Sequence, residues 1–404
     1  MPKTAGDDKL LPHKGSAVLL MKQQGNSKAR AERRFRILHT ESSLGWGGQE
    51  IRVLQELKAM RARGHEVWLA APSISRIYTE AEAVSIPVFS LDCRRLSYVS
   101  STLKLVRQLR ENRIDVVNTH SSRDGWLGGI AARYARTPVL LRSRHIDVEY
   151  RNPWLSRLAF SSLADRVLTT SEKISRHLSE RLSLDPALVS CIPTGVDVER
   201  FQPGIRGTLH EELRLPPELP LVGLIAVIRS WKGHAVFVEA ASLLRGRGQR
   251  AHFVVAGDGP GRDELRQRVA EAGLHNCFSL LGHRTDVPQI MASLSVFVLP
   301  SLAHEGIPQA VLQAQATGVP VVGTRIGGIP EVVQHESTGL LVEPGNAAQL
   351  ADAIGRLLAE PQLRESLAGA GRESVLKHHT NEAMCETVER IIGQVLIGKN
   401  RATR

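Results

Sequence analysis

The chain has 404 residues, of which 42% are hydrophobic, 23% charged and only 4% aromatic, and its formal net charge is +11. At about 150 residues per domain this is two or three domains rather than one small binding module, and the composition excludes a fibrous or wholly disordered chain. Few aromatic side chains leave little for the stacking platforms that single-stranded nucleic acid needs, so no nucleic-acid partner is expected.

The charge is uneven. Residues 1–36 carry nine Lys or Arg against three acidic residues, which is +6 of the total. Polar and without periodicity, residues 1–34 read as a basic, disordered tail; an electrostatic tether to an anionic membrane or polyanion is the alternative. The apolar stretch Ala17 to Met21 is too short for a signal peptide, and the longest apolar run, Leu221 to Ile228, is far too short to cross a bilayer. Cys93, Cys191, Cys277 and Cys385 form no CxxC pair, so neither a disulfide framework nor a zinc site is expected and a cytoplasmic setting fits.

From Phe35 short apolar runs alternate with stretches of helical period, the pattern of βαβ units and parallel sheets. The predicted strands of a first domain are Arg36 to Thr40, Glu66 to Ala71, Val116 to Asn118, Val139 to Arg142, Arg166 to Thr170 and Val189 to Ile192. A helix is predicted from Gly48 to Arg63, with Ile51, Leu54, Leu57 and Met60 as its apolar stripe and Gly64 as its stop. A stretch rich in Pro and Gly follows Ile192, and there the spacing predicts a boundary between domains at 35–203 and 204–381. The second series has strands at Leu221 to Ile228, His252 to Ala256, Phe278 to Leu281, Val296 to Leu299, Pro320 to Gly323 and Gly339 to Val342. The fold class is therefore α/β: two doubly wound, Rossmann-like domains facing across a cleft at the carboxyl ends of their strands. A last helical stretch, Glu382 to Leu396 within about 382–404, is expected to pack back on the first domain.

Three loops at strand exits suit anions. Gly45 to Gln49 (GWGGQ) lies between a strand and a helix, where bare N–H groups and the helix dipole can face a phosphate, although an ordinary glycine turn would look the same. In Arg229 to Gly233 (RSWKG) the two cations can converge on one diphosphate, Arg as a fork and Lys as a point charge; a solvated basic turn is the alternative. The third is Gly257 to Gly261 (GDGPG). Neither glycine cluster completes GxGxxG, and no GxxxxGK followed by Ser or Thr exists, so a dinucleotide fingerprint and a P-loop are both unsupported. A fourth segment, Pro300 to Pro308, puts Glu305 and Gly306 just ahead of a predicted helix, with Pro308 suited to its first turn. Its carboxylate can accept from sugar hydroxyls or simply complement the helix dipole.

Taken in order, the glycine loop, Asn118-Thr119-His120 at a strand end, IPTGVDVERF from Ile192, RSWKG, AGDGPGRDEL from Ala256, LPSLAHEGIPQAVLQAQATGVPVVGT from Leu299 and GGIPEVV from Gly327 closely resemble glycosyltransferase family 4, with its GT-B fold. The resemblance spans Phe35 to Leu396 and is most specific between Ile192 and Val342. It implies a retaining transferase that moves a sugar from a nucleotide diphosphate sugar to an acceptor without a catalytic metal. Carried onto this chain, it implies backbone donors to the diphosphate from Gly47 and Gly48, counter-charges from Arg229 and Lys232, and sugar contacts from Glu305 with the amides of Gly306 and Ile307. It further implies nucleotide contacts near Gly257 and Gly259, and a sugar-facing role for His120. The family's second glutamate is replaced here by Gln313, which keeps the length but loses a charge-assisted bond to the ribose.

The expected partners are a nucleotide-sugar donor, such as a UDP-sugar, with the base left open, and a glycan or lipid-linked acceptor of cell-envelope polysaccharide or lipopolysaccharide synthesis. Arg133, Arg136, Arg142, Arg144, Arg151 and Arg157 are candidates to meet lipid head groups or an anionic acceptor, in line with peripheral attachment at the inner face of a membrane. A sugar-nucleotide epimerase of the same architecture and a basic nucleic-acid-binding protein are the alternatives, and no cofactor or metal is expected.

Overall fold

A computed structural model describes residues 34–147, 152–192 and 194–402; the expected tail, apart from Arg34, and Arg151 lie outside the described residues. From Arg36 onward the chain forms one unit that holds two parallel sheets. The first has seven strands, β1 (Arg36–Thr40), β2 (Glu66–Ala71), β3 (Val88–Ser90), β4 (Val116–Thr119), β5 (Val139–Arg144), β6 (Arg166–Thr169) and β7 (Val189–Cys191), in the order β3-β2-β1-β4-β5-β6-β7. The second has six, β8 (Leu221–Ile225), β9 (His252–Ala256), β10 (Phe278–Gly282), β11 (Val296–Leu299), β12 (Val321–Thr324) and β13 (Leu340–Val342), in the order β10-β9-β8-β11-β12-β13. Both are doubly wound, with the order reversing beside β1 and β8, so the crevice at the carboxyl ends of those strands is where each lobe can take a ligand. The central strands are apolar and buried on both faces, as helix-covered parallel strands must be.

Two expectations are corrected. The strand expected to run to Ile228 ends at Ile225, because the next residues bend away to meet the loop after β9: Ala226 N–H donates to the Ala256 carbonyl at 3.1 Å and Ile228 N–H to that of Asp258 at 3.0 Å. Gly257 lies at φ +153°, and a Cβ there would collide with the Ala226 carbonyl. β3 was not expected; its three residues are only half-covered and carry no readable alternation.

The helix after β1 spans Gly48–Ala62 and buries Val53, Leu54, Leu57 and Met60, but also Glu50, Arg52 and Glu56. Ile51, expected in its stripe, is only half-buried. Distant parts of the chain meet this wider face: Arg52 donates to Thr194 Oγ1 at 3.1 Å and to the Ile192 carbonyl at 3.2 Å, and a second helix packs on it. Asn381–Ala402 crosses from the second lobe and packs on Gly48–Ala62, pinned by Glu389 to Arg63 Nε at 2.7 Å and to His65 Nε2 at 2.9 Å. Lys399, near its end, reaches Asp165 at 2.7 Å. Among the described residues no helix is long and apolar enough to cross a membrane.

Candidate functional site

The second lobe contributes two loops joined to each other. Residues Ser230–Lys232 form a single turn after β8, and Gly233 adopts a left-handed φ of +74° against the Pro300 carbonyl, where a Cβ would collide. Leu302 N–H donates to the Trp231 carbonyl at 2.7 Å. This backbone stitching brings Lys232 Nζ to 2.6 Å from Glu305 Oε1, which also accepts from Ser301 Oγ at 2.6 Å. Glu305 is buried, and its Oε2 makes no hydrogen bond among the described residues. His304, just before it, holds a left-handed φ of +59°, a conformation that turns the following backbone sharply. Behind the turn, Gly327 and Gly328 pack so closely on Glu305 and Gly306 that side chains there would collide with their backbone. Arg229 is exposed and stacks its guanidinium on Trp231 at 5.1 Å from the ring centre.

The first lobe faces these loops. Gly306 lies against the His145 carbonyl and Thr170, with no room for a side chain, and Gln309 Nε2 donates to Gln55 Oε1 at 3.0 Å and to the Gly195 carbonyl at 3.2 Å. Glu331 caps the first-lobe helix Glu172–Leu182, its carboxylate accepting from the N–H groups of Glu172 (2.9 Å) and Lys173 (3.1 Å). A Cβ placed on Gly47 would lie 4.0 Å from the Val227 side chain, so the glycine loop after β1 stands opposite the exit of β8.

The expected anion donors differ in availability. Gly47 N–H is already given to Glu50 Oε2 at 2.8 Å, which leaves Gly48, at the first helical position, among the donors without a partner inside the helix. The amides of Gly257 and Gly259 are also committed, to the Gly282 carbonyl and Asp258 Oδ1, each at 2.8 Å. These two glycines serve a close approach of two backbones. Gly306 and Ile307 sit in the turn before the helix Gln309–Thr317, which has Pro308 as its N-cap and not inside its first turn. Gln313 is buried in that helix, and its side-chain amide makes no hydrogen bond among the described residues.

His120 is placed by the end of β4 and is fully enclosed by two other imidazoles. Its Nδ1 is 2.8 Å from His145 Nε2 and its Nε2 is 2.8 Å from His39 Nδ1. Burial is the first cause that lowers all three from the ordinary imidazole value; neighbouring rings and Arg52 reinforce it at His120 and His145, whereas at His39 the Glu56 carboxylate opposes it and Arg52 adds to it, and the three are neutral at neutral pH. Beside them Glu41 and Asp124 anchor the glycine loop: Glu41 Oε1 accepts from Ser42 and Ser43 N–H and from Ser121 Oγ, and Asp124 accepts from Thr40, Ser42, His120 and Ser121. Burial, then the like charge of Asp124, pushes Glu41 up to about 7.

Of the arginines expected at a surface, Arg142 is buried, with its guanidinium 4.4 Å from the Phe160 ring centre and against Gly125, and Arg133 pairs with Asp165 at 3.1 Å; Arg136 and Arg157 are exposed. Among the described residues no group of three or more His, Cys, Asp or Glu could hold a metal ion.

Two doubly wound lobes whose strand ends face each other, with a lysine–glutamate pair and close-packed glycine turns at the junction, define a glycosyltransferase of the GT-B class. Residues 46–200 match the family described as Glycosyltransferase Family 4, and residues 219–360 that described as Glycosyl transferases group 1. A UDP-Gal:alpha-D-GlcNAc-diphosphoundecaprenol alpha-1,3-galactosyltransferase of Escherichia coli is 32% identical over 284 residues, 66% of this chain and 72% of the relative. A 2-deoxystreptamine glucosyltransferase of Streptomyces kanamyceticus is 25% identical over 388 residues, 86% of this chain and 99% of the relative. Among solved structures, Anabaena Alr3699/HepE in complex with UDP and glucose shares the fold with a TM-score of 0.79 at 22% identity, covering 89% of this chain and all of that one. The chain belongs to glycosyltransferase family 4.

Proposed function

We propose that this enzyme transfers a sugar, with retention and without a catalytic metal, from a nucleotide diphosphate sugar to a glycan or lipid-linked acceptor of cell-envelope polysaccharide synthesis. The observation that carries the reading is the Lys232–Glu305 pair: it sets a cation for the diphosphate and a carboxylate for the donor sugar side by side at the mouth of the second sheet. Arg229 adds a second cation, exposed and held by Trp231, and the amides of Gly48, Gly306 and Ile307 add neutral donors. Fixed positive charge matters here because the bond from the anomeric carbon to the phosphate oxygen breaks with its electrons going to the diphosphate. The acceptor oxygen bonds to the anomeric carbon from the same face, and its proton goes to the departing phosphate oxygen. That front-face course needs no second carboxylate and fits a site in which Glu305 is already held by Lys232 and Ser301.

A UDP-sugar is the favoured donor, since the E. coli relative is named for UDP-Gal and the Anabaena structure holds UDP. That relative is also named for a diphosphoundecaprenol acceptor, which favours an acceptor presented at a membrane. A basic helical layer supports the same idea. The steps β3 to β4 to β5 to β6 all run one way along the sheet, so right-handed crossovers put the helices Tyr98–Glu111, Ser122–Ala135 and Pro153–Ser161 on one face. In sequence, residues 94–166 hold 14 Lys or Arg against 6 acidic residues; Arg142 is buried and Arg133 is paired with Asp165, while Arg136 and Arg157 are exposed, as are Leu96, Val99, Leu103, Trp154 and Leu155. Such a layer fits anionic lipid head groups.

A thermal-shift panel of UDP, GDP, ADP and their sugars, with and without EDTA, tests the donor. A ligand at a hundred times its Kd adds about 2.7 kcal/mol to native stability, so the cognate nucleotide raises Tm in EDTA as well. Failure of every nucleotide to shift Tm sinks the reading. Co-sedimentation with vesicles containing anionic phospholipid, lost in neutral vesicles, is expected of the basic layer; equal binding to both removes it.

A further inference from the structure

The turn that carries Glu305 is held against the first lobe from two sides. At its centre Gly306 rests on the stretch Thr170 to Ile174: a Cβ there would meet the His145 carbonyl, Thr170 Oγ1 and the Ile174 side chain. That stretch opens the helix Glu172–Leu182. Ile174 gives its N–H to Ser171 Oγ at 3.2 Å and Ser175 gives its own to the Ser171 carbonyl, which leaves the N–H groups of Glu172 and Lys173 for an acceptor outside the helix. The second lobe supplies that acceptor. Glu331 Oε2 accepts from Glu172 at 2.9 Å and Oε1 from Lys173 at 3.1 Å.

The same short segment also holds Glu305. Gly328 N–H donates to the Glu305 carbonyl at 3.2 Å, and Glu331 N–H to the Gly328 carbonyl at 3.2 Å. Residues 327–331 therefore rest at one end on the Glu305 turn and at the other on the first lobe. Glu331 is exposed, so no core packing fixes its side chain; the two hydrogen bonds do.

On the other side of the turn stands Gln309. Its Nε2 has two hydrogens and both are used, one for Gln55 Oε1 and one for the Gly195 carbonyl, while its Oε1 is buried without a partner. Gln55 lies on the helix Gly48–Ala62 that begins at the glycine loop, and Gly195 lies on the connection between the lobes. A buried amide with one end unmet costs more than an apolar side chain of its size, so packing does not account for glutamine here and the two bonds do.

We propose that Gln309 and Glu331 are positioning residues that seat the Glu305 turn between the lobes, so that its carboxylate keeps one fixed spacing from the strand ends of the first sheet. This seating rests on the proposed donor site, because Glu305 must face the donor sugar for its placement to matter. It assigns neither side chain a contact with donor or acceptor.

Three variants test it. Glu331→Ala removes both acceptor oxygens, Glu331→Gln keeps one, and Gln309→Leu keeps the bulk and removes both donors. A site group displaced by about 1 Å can cost up to ~10²-fold in rate. With UDP-sugar hydrolysis or transfer as the readout, kcat is expected to fall about tenfold or more in Glu331→Ala and in Gln309→Leu, and by less in Glu331→Gln. The UDP-dependent rise in Tm is expected to persist in all three, because Arg229 and Lys232 stay in place. Hydrogen exchange reads the contact without turnover: with UDP-sugar bound, the Glu172 and Lys173 amides should exchange slowly in the unaltered chain and fast in Glu331→Ala. Unchanged kcat in both Glu331→Ala and Gln309→Leu, or fast exchange of those two amides in the unaltered chain, overturns the proposal and leaves the donor site standing. Loss of the UDP shift together with turnover would assign both side chains to the folding of the second lobe and overturn it as well. Failure of every nucleotide to raise the Tm of the unaltered chain is a different result, which sinks the donor site itself.

Discussion

The two lobes meet their shared junction with opposite chemistry. Along the first sheet the strand ends carry buried groups that satisfy one another: the row of His39, His120 and His145, and Glu41 and Asp124 wrapped in hydroxyl and amide donors. Along the second, Arg229 is exposed, Lys232 is part-exposed and held by a single carboxylate, and the backbone turns through left-handed residues at Gly233, His304 and Gly327. A network of neutral or fully bonded groups can stay dry and rigid at little cost, whereas a cation meant for a polyanion has to keep some water until the ligand replaces it. The first lobe therefore supplies a fixed wall, and the second supplies charge.

The sharpest way to break that division is Lys232→Ala. If the second lobe carries the charge that the departing diphosphate needs, the substitution lowers kcat/KM by about 10²- to 10³-fold, the usual loss for one preorganised electrostatic contact. It should also shrink the UDP-dependent rise in Tm. A variant that keeps both turnover and the thermal shift would put the working charge elsewhere, with Arg229 the next to test.

The first lobe is tested through acid. Histidines held below their ordinary value in the folded chain are protonated more readily once it unfolds, so the unfolded state binds more protons and stability falls as pH drops below about 6.5. Each such ring contributes a slope of up to ~1.4 kcal/mol per pH unit. His234 and His379, both lowered to about 4 mainly by burial, act in the same direction, while Glu41, raised to about 7, acts in the opposite one between its unfolded value and 7. The difference between proteins is therefore the measurement. Urea midpoints from pH 7 to pH 5 are expected to fall less steeply in His39→Gln than in the unaltered chain, and parallel curves would mean that the row is not neutral when folded.

The same contrast governs what could be read from the sequence. RSWKG and HEGIP are each contiguous, so the candidates Lys232 and Glu305 could be picked out one by one, and their meeting needed only two strand exits to lie side by side, which adjacent β8 and β11 provide. The histidine row joins positions 81 and 25 residues apart, and nothing local marks them. Only the pairing of β1 with β4 and β4 with β5 brings them into register, and a reading that places strands without ordering them leaves His39 and His145 unnoticed. Arg52 and Glu56 escaped for a related reason. On a helix taken alone they fall outside the apolar stripe; in the fold the Arg52 guanidinium donates to the Ile192 carbonyl and to Thr194 Oγ1, about 140 residues on, and the helix Asn381–Ala402 packs on the same helix. Arg142 looked like surface charge for want of the same knowledge about Phe160 and Gly125.

The smallest expected effect concerns the position at which this chain departs from its family. On the proposed reading Gln313 would offer one acceptor atom to a ribose where a glutamate would offer two with a full charge, a difference on the order of 1 kcal/mol, or about fivefold in binding. The environment adds a second consequence, because Gln313 is buried and its amide has no partner among the described residues. A carboxylate placed there without nucleotide is desolvated and unpaired, which lowers the Tm of the free protein; with nucleotide, the ribose hydroxyls donate to it and restore stability. Gln313→Glu is therefore expected to leave donor KM unchanged or lower it several-fold, and to enlarge the rise in Tm on adding UDP. Abolished turnover with a normal UDP shift would place Gln313 in the packing of the helix Gln309–Thr317 and not beside the ribose. An equal loss of both would mean that the helix start, and with it the turn that carries Glu305, depends on a neutral side chain at this position.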